Sequence, residues 1–218
     1  MNLLSVNIAR AIWNFYTKDF NPHGRFIAAT IYKTLLDKYQ FAKYPKPTDE
    51  VDESKGVFFK DGVFTIENGE SIIVSLAIYD NGLIADTRSS TKYSDAFIKD
   101  AMDAIIINCN LPPYEGIIRS KAYVSELYVR TEKPLNGLNP KLQAFAKKLN
   151  ELVKGHETMA YQTAGIQFWS DLSVSSSPFP FRFERQEAIG FKENRYYSIA
   201  PLETDVHLEL LNELEAIL

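Results

Sequence analysis

A chain of 218 residues, 45% hydrophobic and 24% charged, has a globular composition and enough length to bury a sizeable core. A formal charge of -4 gives it no global attraction to phosphate backbones or anionic lipid, and a single cysteine rules out an internal disulfide framework. No apolar run approaches the roughly 18–20 residues of a membrane span, and Arg10 interrupts the N-terminal apolar run, so a soluble cytoplasmic protein is expected.

Residues 6–18, "VNIARAIWNFYTK", alternate imperfectly and predict a strand with Ala9, Ala11, Trp13 and Phe15 on one side. Asn21-Pro22 then predicts a helix start: Asn caps the free N–H groups and Pro is preformed for the first helical position. Phe26, Ile27, Thr30, Ile31, Thr34 and Leu35 follow at helical spacing. Residues 43–56, with two prolines and mixed charge, read as a linker.

A strand meander follows, punctuated by Asp61-Gly62 and by Asp80-Asn81-Gly82, the latter a strong hairpin signal. Within it, Ile72, Val74, Leu76 and Ile78 form one apolar face. A helix from about Thr91 to Asn108 is predicted next, with Ser89–Thr91 as cap and Phe97, Ile98, Ala101, Met102, Ile105 and Ile106 inward. Cys109 closes this helix as a small core residue.

The second half repeats the order. Residues 119–131 predict a strand, and Asn139-Pro140 opens a helix to about Lys154 with Leu142, Phe145, Leu149, Leu152 and Val153 inward. "TAGIQFWSD", "FPFRFERQ" and "NRYYSIAP" predict three strands. The closing helix has Thr204 as cap and Leu208, Leu211, Leu214 and Leu218 inward.

Each half therefore reads strand, helix, about three strands, helix. Asn21-Pro22 echoes Asn139-Pro140, "GVFF" echoes "GIQF", and Thr91 echoes Thr204. The expected fold is α+β: a two-layer, largely antiparallel sheet with about four helices on one face. One domain is expected, made of two pseudo-repeats, 1–113 (with 43–56 as a loop insertion) and 114–218. This element order resembles the saddle of the TATA-binding protein, two pseudo-symmetric halves with helices on the back. The resemblance implies a saddle-like fold and no activity, because fold does not carry function.

Chemical signatures are sparse. His23, His156 and His207 have no metal-ligand spacing, and Walker, GxGxxG and GxSxG motifs are absent, so no metal and no cofactor is expected. His23 and His207 read as surface or capping residues. Asp80, Asp86, Glu126, Glu184 and Glu187 are the carboxylates from which a hydrolytic site would be built, though no spacing pairs them.

The denser signal is basic and aromatic. "FPFRFERQEAIGFKENRYYSIAP" interleaves Phe179 and Tyr197 with Arg182, Arg185 and Arg195, and Arg130 and Tyr79 sit on other predicted strands. Aromatic residues with arginine are the composition of a protein-binding surface, and they also stack on bases. These seven residues are the candidate binding set. The expected function is a non-catalytic adaptor or subunit that engages a protein through an open sheet face or an aromatic loop. The alternatives are a nucleic-acid-associated protein using the same face and a hydrolase on the carboxylates.

Overall fold

The computed structural model describes residues 1–25, 27–45, 55–153, 160–171, 173 and 178–218. The chain is α+β, with eight strands in one antiparallel open sheet ordered β2-β3-β4-β1-β5-β8-β7-β6. The strands are β1 (Asn2–Asn14), β2 (Val57–Thr65), β3 (Ser71–Tyr79), β4 (Gly82–Thr87), β5 (Ser120–Arg130), β6 (Gly165–Phe168), β7 (Phe181–Arg185) and β8 (Arg195–Ala200). The helices are α1 (Thr17–Phe20), α2 (Ala28–Tyr39), α3 (Thr91–Cys109), α4 (Pro140–Leu152) and α5 (Thr204–Ile217). The order strand, helix, three strands, helix occurs twice once the four-residue α1 that precedes α2 in the first half is set aside. Phe26, His156, most of the expected 43–56 linker and the Ser175–Ser177 run lie outside the described residues.

The chain forms two compact units. An N-terminal unit comprises Ile8–Ser125 with Leu202–Thr204; a C-terminal unit comprises Met1–Asn7, Glu126–Pro201 and Asp205–Leu218.

In the N-terminal unit, alternation along β1, β3 and β4 sends Ala11, Trp13, Val74, Leu76, Leu83 and Ala85 into one core. The α3 stripe meets them as its spacing predicts: Phe97, Ile98, Ala101, Met102, Ile105 and Cys109 are buried. Ser90 caps α3, its side chain accepting from the Lys92 N–H. Polar groups in this core are paired. Ser94 Oγ donates to the Ala9 carbonyl at 2.7 Å, and Asp95 accepts from Trp13 Nε1 at 2.7 Å while Lys121 reaches the same carboxylate at 3.1 Å. Tyr39 donates to Asp100 at 2.7 Å; burial first, then this carboxylate, pushes its phenol up.

Three local expectations are corrected in this unit. The first strand ends at Asn14, and Thr17–Phe20 is a helical turn. Asn21-Pro22 opens no helix. Asn21 instead closes a loop onto Arg25, donating to its carbonyl and accepting from its N–H, and α2 begins at Ala28. Asp61-Gly62 is a bulge inside β2, not a hairpin turn. The register shifts between Phe59 and Gly62, and Asp61 takes φ 57. Gly62 is required there because a Cβ would stand 2.5 Å from the buried Phe41 ring.

Thr91 and Thr204 do meet, in a way their parallel positions did not suggest. Each Oγ1 accepts from the other's backbone N–H, at 3.0 and 2.9 Å. Thr204 thus serves the first turn of α3.

In the C-terminal unit, Leu127, Val129, Phe183, Tyr196 and Leu211 form the core, with Leu208 and Leu214 of α5 and the following Leu218 packed on it. Phe183 stacks on Tyr196 at 4.5 Å. The Tyr196 hydroxyl accepts from the Leu135 N–H, so its buried oxygen is satisfied. Asn139-Pro140 behaves as predicted: Asn139 Oδ1 accepts from the N–H groups of Lys141 and Leu142. The stripe that follows does not. No residue of α4 is buried; Leu142, Phe145 and Leu152 are 47%, 66% and 70% exposed. The sequence period correctly marks an apolar face, but most of it stays open to solvent, with Leu149 half-buried.

Candidate interaction surface

In the C-terminal unit, α5 covers one face of strands β5, β8 and β7. Strand alternation sends the next residue of each strand to the opposite face. From β5 come Glu126, Tyr128 and Arg130, which alternate with buried Leu127 and Val129. From β8 come Arg195 and Tyr197, flanking buried Tyr196. From β7 come Arg182 and Glu184, flanking buried Phe183. Register pairs Glu184 with Tyr197 and Arg182 with Ile199.

The centre of this face is packed. The Tyr128 and Tyr197 rings lie 5.6 Å apart. Burial, then the nearby Glu126 carboxylate, raises the Tyr197 phenol well above its ordinary range. Asn7 donates to Glu126 at 2.7 Å, holding that carboxylate against the tyrosine. Arg182 stands 5.5 Å from the Trp169 ring. The Nε atoms of Arg182 and Arg195 are buried and have no hydrogen-bond partner among the described residues. The result is one face carrying three arginines, two tyrosines and two glutamates, half-buried except for the exposed Arg130.

The remaining candidates lie elsewhere. Arg185 is on the α5 side with Phe183, and its guanidinium is committed to the scaffold. It donates to the carbonyls of Thr163 and Phe191 and to Gln162 Oε1, and lies 4.4 Å from the Phe191 ring. Phe179 is half-exposed in a stretch without regular structure. Tyr79 belongs to the N-terminal unit, edge-on to Phe58 at 6.0 Å. It lines a groove of about 400 Å³ with Arg10, Lys60 and Asp86, where Arg10 is paired bidentately with Asp86 at 2.7 and 2.8 Å.

The carboxylate candidates are not assembled for metal binding: no group of three or more His, Cys, Asp or Glu side chains able to hold an ion occurs among the described residues. No helix among them is long and apolar enough to cross a membrane. His207 is neither surface nor cap. It is fully buried, 2.8 Å from Ser198 Oγ. Ser198 donates its hydroxyl proton to the Arg182 carbonyl at 2.9 Å, so His207 donates Nε2–H to the serine oxygen. Burial lowers its pKa to about 4 and keeps the ring neutral. With both residues sealed from solvent, the pair anchors α5 to β8 rather than presenting a nucleophile.

The partners of this surface that sequence reasoning passed over are Tyr128 and Trp169. Tyr128 was findable from its odd-even relation to Arg130. Trp169 lies beyond the end of β6, where no strand period extends to it.

No protein-family model matches the chain. No curated protein matches it in sequence. Among solved structures it is similar to Methanococcus jannaschii TBP, at 12% identity over 99% of this chain and 97% of that one, with a TM-score of 0.41.

Proposed function

We propose that the protein is a non-catalytic adaptor or subunit that binds a protein partner through the face of its C-terminal unit opposite α5. The observation that carries this reading is the shared face of Arg130, Arg182, Arg195, Tyr128 and Tyr197, with Arg130 exposed, the other four half-buried, and the two tyrosine rings 5.6 Å apart. Partly exposed guanidinium groups beside fixed aromatic rings offer a partner's carbonyls and carboxylates donors at the rim and ring faces to pack on, and Tyr and Arg dominate the energetics of such surfaces. Glu126 and Glu184 interleave with the arginines, leaving this face nearly balanced in charge. That favours a mixed polar protein surface over a phosphate backbone, which rewards uncompensated cations. Phe179 and, in the N-terminal unit, Tyr79 are secondary contacts in this proposal.

The same proposal takes residues 1–113 and 114–218 as two pseudo-repeats. The sheet order supports it, because exchanging β1–β4 for β5–β8 leaves the order unchanged in form. The reciprocal Thr91–Thr204 bonds support it as well.

The test is affinity capture from the source cell after nuclease treatment, comparing the native chain with Arg182→Ala and Tyr197→Ala. A stoichiometric protein retained by the native chain and lost by both variants, with unchanged circular dichroism, is the expected result. Retention of the same proteins by both variants refutes this surface. Capture that disappears with nuclease moves the reading to nucleic acid.

A further inference from the structure

Two helices of the C-terminal unit carry outward apolar stripes, and their charged borders have opposite signs. On α4 the stripe is Leu142, Phe145, Leu149 and Leu152, at i, i+3, i+7 and i+10, with Leu149 half-buried and the other three exposed. Lys141 and Lys148 line one edge of it, seven residues or about 10.5 Å apart. On α5 the inward face is filled by His207, Leu211 and Leu214. A second stripe faces outward: Val206, Leu210 and Ile217, 46%, 38% and 67% exposed. Asp205, Glu209 and Glu213 border it as an i, i+4, i+8 row of about 12 Å.

The two helices differ sharply in charge. α4 carries three lysines against one glutamate, whereas α5 carries four acidic residues and no lysine or arginine. Among the described residues, Glu215 is the one of these four in an ion pair, with the Met1 ammonium, and it also accepts from the Glu132 N–H. Among the described residues no ion pair involves Lys141, Lys148, Asp205, Glu209 or Glu213.

We infer that the occupant of the α4 stripe is the α5 stripe of a second copy of this chain. An apolar stripe with a basic edge fits an apolar stripe with an acidic edge of similar length. One copy presents both halves of the match. Because each protomer offers both helices, the pairing is reciprocal: α4 of one protomer lies on α5 of its partner, and the converse contact closes a twofold dimer. Apolar burial supplies the attraction, and the lysine and carboxylate rows set the register. This inference concerns helices outside the proposed adaptor face, so either stands without the other.

The test is sedimentation velocity of the full chain. The native protein is expected to be a dimer whose dissociation constant rises with salt. Reversing the α4 row (Lys141→Glu with Lys148→Glu), or the α5 row (Glu209→Lys with Glu213→Lys), raises that constant at least about tenfold. Both alterations sit on exposed side chains, and circular dichroism checks the fold. Mixing the two altered proteins restores dimerisation, because each contact in the mixed dimer is again acid against base. A native chain that stays monomeric at every attainable concentration overturns the inference. So does a dimer insensitive to both reversals, or a mixture no tighter than its components. A monomer that binds anionic phospholipid vesicles through α4 assigns the stripe to a membrane surface and equally overturns it.

Discussion

Acidification tests the buried histidine directly. His207 is sealed between α5 and β8, neutral, and donates to Ser198. In the unfolded chain its imidazole takes a proton near pH 6.5; in the fold this is delayed to about 4 because burial penalises the cation. Between those values the unfolded state binds more protons than the native state. Stability is therefore full above pH 6.5 and falls as the pH drops toward 4. The total is about 3 kcal/mol from a displacement of this size, of which about 2 kcal/mol is lost by pH 5, before most carboxylates begin to titrate. Urea unfolding followed by circular dichroism, at pH 7, 6 and 5, measures it. The control is His207→Gln, whose amide can donate to Ser198 but does not titrate in this range. The difference between native chain and variant should shrink by about 2 kcal/mol from pH 7 to pH 5. A difference that stays constant with pH refutes the reasoning, because it means that His207 is protonated within the fold or hydrated through a local opening.

Other expectations are read the same way, as changes in unfolding free energy. Arg185→Ala should cost about 2 kcal/mol, since it removes a guanidinium bound to three acceptors, and Arg185→Lys should not recover it. Arg182→Ala, on the opposite face, should stay within about 0.5 kcal/mol of the native chain; a large loss would make that arginine part of the scaffold. Gly62→Ala should cost about 1–3 kcal/mol, because its Cβ meets the Phe41 ring at 2.5 Å, whereas Gly116→Ala, with nothing within 4 Å, should be near neutral. Thr91→Val and Thr204→Val should each cost about 1–3 kcal/mol by orphaning a buried N–H, and the double variant should deviate from their sum.

Where one physical rule governs a segment, the sequence was enough. Alternation in β3 and the 3.6-residue stripe of α3 specified the core of the N-terminal unit, because burial on one side of a regular element leaves only one arrangement of its side chains. Asn139-Pro140 was readable as a cap because the next residues have a helical period. Asn21-Pro22 contains the same dipeptide, yet Asn21 bonds Arg25 in a loop closed by Gly24 at φ 58. Residues 23–25, "HGR", supply no helical stripe to reinforce the cap, so the local bond prevails. Asp61-Gly62 likewise offers a left-handed residue followed by glycine, which serves a bulge as well as a turn. Only the pairing partner decides, and that partner lies more than ten residues away. For the candidate surface, the period of two in "FRFER" separates Arg182 from Arg185 correctly, but which of the two faces carries the helix is a tertiary fact. It is fixed by Leu208 and Leu211 of α5, far along the chain.

The contrast between α4 and α5 makes the same point about helices. Both carry leucines at helical spacing, and both predict an inward face. In α5 that prediction holds for Leu208, Leu211 and Leu214, because β5, β7 and β8 offer Leu127, Phe183 and Tyr196 to meet them. In α4 the equivalent stripe stays largely open: Leu142, Phe145 and Leu152 are exposed and Leu149 is half-buried. An amphipathic period states that a face excludes water; it does not state that the chain itself provides the cover. On α5, Val206, Leu210 and Ile217 were masked in the sequence by the stronger inward stripe. They become visible only once His207 and Leu211 are known to be fully buried, which fixes the rotation of the helix and turns the remaining apolar residues outward. A chain that leaves one basic-edged stripe and one acidic-edged stripe uncovered in the same compact unit has its outward apolar surface set by association rather than by folding.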